Sequence, residues 1–436
     1  MRKLLAMLLS LGFFAATAHA GDIVSDTTLY NKLKEKGALT DDDIKELKNA
    51  TPRIELGGRF EFQYKNVFGD NTAASPVTDT FLIRRARIEV KAQLTPIAFV
   101  RIEPEFGQTV KAPVATATCT SAAVTAGTDT PANNTACKIA TTGSQTVYLE
   151  DAYIGITPAG MGEFDLGNHY VPFSLEALTS DKKLAFVERN LTANLAPYRQ
   201  LGVSWQHEVV NRTVIYQLGV YNGYVQPGSL AGPIYGLNAL TNDNQQYMYG
   251  ARLEWQPLGY MGAGIYASQE NFEHFDNRVG LGLAWYSSAD APKNGGTAAA
   301  STERGSNGID VDLQYKGGPF WAAVEYIARN VDYWDAAKLD KTAKQSSYTV
   351  QASWMFIPDT ASLALRLENM AYDGDKLIKG ASGQEADAWT TIGLNWYLLK
   401  NNIHLQANYV MKGETMPNGG TAPKNDTFLA MAIYHF

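Results

Sequence analysis

The chain has 436 residues, with 37 Lys and Arg against 44 Asp and Glu, and its formal charge of −7 argues against a nucleic-acid partner. On soluble-protein priors such a length means two or three domains, yet no Pro/Gly/Ser-rich linker divides it, and its 23 Tyr are spread through short alternating segments. Beyond the N-terminus no apolar run approaches the roughly 20 residues of a membrane-spanning helix, so any crossing of a bilayer falls to strands, in which only every second residue must be apolar.

Arg2 and Lys3, the apolar stretch Leu4 to Ala16 and the small-residue site Ala18-His19-Ala20 have the order of a secretory signal peptide, residues 1–20. The mature chain then starts at Gly21 with 35 basic against 44 acidic side chains, a charge of −9. Residues 21–50 read as a periplasmic helical segment: Leu29 and Leu33 share a face, Gly37 stops a first helix, and Thr40 caps a second through Ile44 and Leu47.

From Arg53 the period changes to two. Ile54, Leu56, Phe60, Phe62 and Tyr64 lie on one face, opposite Arg53, Glu55, Arg59, Glu61 and Lys65. Leu82, Ala86, Ile88, Val90 and Ala92 likewise oppose Arg85, Arg87, Glu89 and Lys91. One face suits lipid and the other water. The pattern recurs at Tyr247 to Trp255, against Arg252 and Glu254, and at Ile309 to Tyr315, against Asp310 and Asp312.

Tight turns at 95–96, 158–162, 209–211, 317–319, 358–360 and 400–402 alternate with long links at 66–79, 108–146, 171–198, 223–245, 289–306, 330–345, 371–387 and 413–424. A literal count gives 17 strands, because 262–270 and 278–288 both look strand-like. Bacterial barrels have an even number, so Pro257 to Asn277 becomes an extended periplasmic connection and the count becomes 16. The predicted fold is all-β: a 16-stranded antiparallel transmembrane β-barrel over residues 51–436, preceded by the helical segment. Its last strand alternates Phe428, Ala430, Ala432 and Tyr434 up to a terminal Phe436 and resembles the signal by which outer-membrane barrels are recognised for assembly.

Cys119 and Cys137 lie in one nearly uncharged Ala/Thr-rich stretch, and in an exported chain they are expected to form a disulfide. With no histidine beside them they make no metal site, no Cys-x-x-Cys-His motif attaches haem, and no cofactor is expected. His169, His207, His274, His404 and His435 form no catalytic cluster, so an enzyme is not expected, and His404 and His435 read as solvated polar residues.

Several blocks together carry a family likeness: Leu33-Lys34-Glu35-Lys36-Gly37-Ala38-Leu39-Thr40, Phe81-Leu82-Ile83-Arg84-Arg85-Ala86-Arg87, Leu149-Glu150-Asp151-Ala152-Tyr153-Ile154, Gly167 through Glu176, and Phe186-Val187-Glu188-Arg189. In these the chain resembles the phosphate-selective porin O and P family of 16-stranded, usually trimeric, outer-membrane porins. The resemblance implies that 171–198 is a third outer loop folding into the lumen as a constriction. The residues agree, since this long link sets Lys182, Lys183, Glu188 and Arg189 among apolar Phe173, Leu175, Leu184 and Phe186.

Arg59, Arg85, Arg87 and Arg101 have lumen-facing parity on adjacent strands, and Arg252, Arg329 and Arg366 follow later. Two readings stand at this point. They form a basic wall that lowers the barrier for anions, or they pair with inward Glu55, Glu61, Glu89, Glu103 and Glu105 to order the lumen. The function expected is passive diffusion of small hydrophilic solutes and ions through the outer membrane of a Gram-negative cell, with anion (phosphate) preference left open and a homotrimer embedded in outer-membrane lipid. The alternative is a barrel scaffold sheathing an electron-transfer cytochrome, against which the narrowing loop speaks.

Overall fold

In a computed structural model the described residues are 53–69, 78–107, 114–119, 137–142, 148–222, 247–264, 267–288, 303–334, 340–373, 386–416, 422 and 424–436. The expected signal peptide and the helical segment at 21–50 lie outside them. The first strands are β1 (Arg53–Phe68), β2 (Thr78–Thr95) and β3 (Ala98–Glu105), followed by β4 (Val114–Cys119), β5 (Cys137–Thr142), β6 (Tyr148–Ile156) and β7 (Glu163–Tyr170). Next come β8 (Arg199–Val209), β9 (Val214–Asn222), β10 (Tyr247–Trp255), β11 (Arg278–Ser288), β12 (Glu303–Gly317) and β13 (Phe320–Trp334). The last five are β14 (Asp340–Ile357), β15 (Ala361–Asp373), β16 (Ala386–Leu399), β17 (Ile403–Thr415) and β18 (Asp426–His435). All but β4 and β5 close into one antiparallel barrel of 16 strands, and those two form a separate ribbon in which Cys119 and Cys137 stand directly opposite each other.

The two-residue period builds this wall. On β13, Trp321, Glu325 and Ile327 turn inward and are buried, while Phe320, Val324 and Tyr326 turn outward. Outward apolar side chains such as Leu253 (49% exposed) and Trp354 (47%) form a belt that a hydrocarbon surround would cover. The barrel closes where β1 meets β18. Gly58 and Phe436 exchange two backbone hydrogen bonds of 3.1 Å, and the Phe436 ring lies over Gly58, where a Cβ would come within 2.6 Å of it. The C-terminal Phe is therefore part of the seam, its ring occupying the space that the missing side chain leaves.

Three features differ from the alternation in the sequence. The β1–β2 register shifts, so that Glu61 faces Arg85 and Phe62 faces Ile83, with Arg84 as the extra, bulged residue. Past the bulge the parity reverses: Leu82, read above as lipid-facing, pairs with inward Gln63, while Phe81 stacks outside on Phe62 (centroids 5.7 Å apart) and Tyr64 (5.0 Å). The segment 330–345 is mostly strand rather than loop, with β13 and β14 pairing from Asn330–Lys344 out to Trp334–Asp340. Its polar residues read as a loop, yet a ladder that continues beyond the apolar belt needs no apolar face. Finally, 256–277 links β10 to β11 without barrel strands, as expected, but it turns into the barrel, burying Met261, Ala263, Ala267 and Phe272.

Candidate functional site

The segment 171–198 leaves β7 and re-enters the wall at β8, yet many of its polar contacts lie on the opposite side of the barrel. Ser174 Oγ donates to Glu325 of β13 at 2.7 Å, and the Leu191 amide donates to Glu368 of β15 at 2.7 Å. Asn395 of β16 donates to the Ala185 carbonyl at 3.0 Å; on β17, Asn408 accepts from the Val187 amide at 2.8 Å and Gln406 donates to the Leu184 carbonyl at 2.8 Å. Irregular backbone inside a barrel must find partners for its N–H and C=O groups, and inward Asn, Gln and Glu side chains supply them. One short helix, α1 (Leu175–Leu178), is capped by Ser174, whose backbone sits in the left-handed region at φ 72° while its Oγ accepts from the Ala177 amide at 3.1 Å. Apolar residues fix the crossing: Phe173 meets Tyr286 edge-on at 4.9 Å, and Phe186 packs with Trp321, Ala323 and Ala364.

Where the segment passes β1 and β2, buried Asp181 receives Arg189 at 2.5 Å, Arg85 at 3.1 Å, Arg59 at 3.3 Å and Arg87 at 3.5 Å. Burial alone would raise the Asp181 pKa, but Arg189, Arg85, Arg87 and Arg59 hold it well below the usual carboxylate range. Glu188 is gripped by the Nε (2.7 Å) and Nη2 (2.9 Å) of Arg84, which keeps its carboxyl down at about 2 against the effect of burial. The bulge thus aims two consecutive arginines inward.

The four predicted wall arginines are brought together but do not stand as bare cations. Arg59 reaches Glu89 (3.3 Å) and Glu103 (3.5 Å), and Arg85 reaches Glu61 (2.6 Å). Arg87 meets Glu103 (3.0 Å), Glu105 (2.5 Å) and Glu150 (2.8 Å), while Arg101 meets Glu103 (3.1 Å) and Asp151 (3.2 Å). Arg199, which sequence reasoning did not single out, pairs with Glu150 (2.6 Å) and Asp151 (2.7 Å). The cluster holds eight bases (Arg59, Arg84, Arg85, Arg87, Arg101, Lys182, Arg189, Arg199) and eight acids (Glu61, Glu89, Glu103, Glu105, Glu150, Asp151, Asp181, Glu188). Each of the four predicted wall arginines thus stands against at least one carboxylate.

The constriction candidates divide in the same way. Arg189 donates to the carbonyls of Glu176 and Thr179 and to the Tyr198 hydroxyl besides meeting Asp181, so its charge fastens the segment to itself. Lys182 reaches Glu89 at 3.4 Å. Burial, and then neighbouring Lys182, push Lys183 down to about 8. The histidines read as solvated are instead buried, His404 lying 5.3 Å from the Tyr397 ring.

The inward link 256–277 props the crossing segment from the short-turn end. The Gln269 amide donates to the Lys183 carbonyl (2.9 Å), its Oε1 accepts from the Ala185 amide (2.9 Å), and its Nε2 donates to Glu176 (2.6 Å). Next to it, the Glu270 carboxylate accepts hydroxyls from Ser353 (2.8 Å), Ser362 (2.6 Å) and Tyr397 (2.9 Å). Two cavities flank the crossing. The one toward the long loops, about 700 Å³, is lined by Lys65, Arg84, Arg189, Arg366 and Lys412 against the single acid Glu188. The one toward the short turns, about 530 Å³, carries seven bases (Arg59, Lys91, Arg101, Lys182, Lys183, Arg199, Lys400) against five acidic side chains (Glu55, Glu89, Glu103, Asp151, Glu273).

The family model for phosphate-selective porin O and P matches residues 54–436. The chain belongs to this porin family. It is thus a porin of the outer membrane, a passive channel built on the barrel described above. No curated protein sequence matches it. Among solved structures, the porin is similar to the outer membrane channel DcaP of Acinetobacter baumannii (13% identity, TM-score 0.53, covering 88% of this chain and 97% of that one). It is also similar to the trimer form of OmpT from Vibrio cholerae (12%, 0.52, 89% and 100%) and to an anion-selective porin from Comamonas acidovorans (12%, 0.50, 88% and 99%). At these identities the likeness concerns the fold alone.

Sequence reasoning put Lys65 on the water-facing side but gave it no role, and it did not single out Lys412. Lys65 and Lys412 face the larger cavity and make no ion pair among the described residues. Their strands, β1 and β17, come together only when β18 closes the barrel between them.

Proposed function

We propose that this porin conducts small hydrophilic solutes with a modest preference for anions, drawn in at the outer cavity rather than selected at the constriction. In this reading 1–20 is a signal peptide, 21–50 a periplasmic helical segment, 171–198 the constriction loop, Cys119–Cys137 a disulfide in an outer loop, and three copies form the trimer. The observation that carries it is the contrast between a charge-balanced crossing and a larger cavity with five bases to one acid. Close ion pairs cancel one another's fields over a Debye length of about 8 Å, whereas lysines that stand outside close ion pairs at the mouth raise the local concentration of anions. A lumen crossed by its own loop and propped by its own link speaks against a sheath for a cytochrome.

The test is the reversal potential of the purified porin in a planar bilayer under a KCl gradient. Chloride preference that falls in the Lys65→Gln, Lys412→Gln double variant, and falls less in a Lys182→Gln, Lys183→Gln one, is the expected result. Cation preference, or insensitivity to the outer pair, would overturn it.

A further inference from the structure

We propose that the outer cavity is a binding site for aryl carboxylates, small organic anions that carry an apolar ring. The inference rests on the channel reading above and names a solute class for it. Inward positions of a water-filled barrel are ordinarily polar. Several around this cavity are not: Leu82, turned inward by the bulge at Arg84, lines it together with Trp389, Val410 and Leu429. Leu429 continues into Met431 and Ile433, so that the inner face of β18, joined by Val410 of β17, presents an apolar stripe on which Val187 of the crossing loop packs.

The cations of the same cavity have separate tasks. Arg84 is held by Glu188, and Arg366 by Glu368 (2.9 Å) and the Glu188 carbonyl (2.9 Å), so both are fixed in place. Lys65 and Lys412 make no close ion pair among the described residues, although Glu414, Asp387 and Asp426 stand within electrostatic reach of Lys412, and the Lys412 ammonium lies 4.5 Å from the centre of the Trp389 ring. An ammonium and an indole face therefore share one spot. A carboxylate on the lysines leaves its ring against Trp389, Leu429 and Val410, whereas inorganic phosphate or acetate gains nothing from the apolar wall. A volume of about 700 Å³ lies within the range of small-molecule pockets, roughly 300–1,000 Å³.

The experiment uses the full-length porin in planar bilayers, with bi-ionic potentials of potassium benzoate, acetate and inorganic phosphate, each against KCl. Benzoate should permeate better than acetate by roughly tenfold despite its size, the factor expected from removing one ring face from water. Val410→Thr, which keeps the side chain's shape, should erase most of that ratio, and Leu429→Asn should do the same. Acetate passing faster than benzoate, phosphate passing fastest, or a benzoate-to-acetate ratio unmoved by both variants would each overturn the proposal while KCl conductance upheld the channel. No KCl conductance would overturn both.

Discussion

Replacing Asp181 by Asn keeps the side chain's shape and removes the charge to which four arginines converge. Arg59, Arg85 and Arg87 each retain a glutamate, at 3.3, 2.6 and 3.0 Å, but Arg189 has Asp181 as its one carboxylate partner among the described residues. Stranding one partner of a buried ion pair costs about 3–5 kcal/mol. Because three of the four keep partners, the lower end, about 3 kcal/mol, is the fair figure, and it would raise the population of undocked loop roughly a hundredfold. Single-channel recording should then show brief openings of larger conductance, and trypsin should gain access to Lys182 and Lys183, while heat-dependent gel mobility reports an intact barrel. The acid dependence gives a second handle. Asp181 has a depressed pKa, so its contribution is fully present above the unfolded value of about 4 and is lost only as pH falls through the much lower folded value. The unaltered porin should therefore keep quiet traces from pH 7 down to 4. An Asp181→Asn channel with unchanged traces and protease resistance would refute the view that this carboxylate pins the loop.

Lys183, held near 8, is charged below that value and neutral above it; anion preference should decline between pH 7 and 9, and Lys183→Met should flatten most of that slope in reversal-potential measurements. Gln269→Ala removes two side-chain hydrogen bonds and leaves the Ala185 amide without its acceptor, a cost of about 2–3 kcal/mol; open-channel current noise should rise with little change in mean conductance. Gly58→Val places side-chain atoms where the Phe436 ring lies and should lower the folded fraction seen by heat-modifiable electrophoresis, whereas Gly57→Ala, whose Cβ would come no closer than 3.1 Å to its neighbours, should be milder. Cys119 and Cys137, cross-strand partners in the ribbon, should resist alkylation until a reductant is added.

The strands were legible because a membrane barrel writes its faces directly into the sequence, one residue in and one out. Arg85, Arg87 and Glu89 kept their inward parity for that reason. Leu82 did not, because a bulge is a local backbone choice that leaves the composition of both faces unchanged. A signal was nonetheless present: consecutive Arg84 and Arg85 within a strand would force one guanidinium toward lipid, at about 2–4 kcal/mol near the midplane, unless a bulge turned both inward. The inward loop was expected from the family resemblance, with which its apolar spacing agreed, but its anchors were not legible. Glu325, Glu368 and Asn408 look like any other inward polar residues until the loop is laid across them. The inward turn of 256–277 carried only a faint mark, polar Gln269 and Glu270 beside apolar Phe272, which suits a surface link as well as a buried prop.

The charge pattern explains why a net-acidic chain can carry a basic mouth. Where the loop and the 256–277 link fill the lumen, an unpaired charge would pay several kcal/mol of desolvation, so arginines there stand against carboxylates: Arg252, for example, lies between Asp310 (3.1 Å) and Asp312 (2.7 Å). Within the lumen, only toward the cavities does a lysine stand outside a close ion pair among the described residues. The surplus is thereby confined to the cavities, and the larger surplus to the outer one, at Lys65 and Lys412. Selectivity in such a channel follows from which charges the packing leaves hydrated rather than from how many the lumen contains, so substitutions in the paired wall should change conductance and loop stability before they change the sign of the ion preferred.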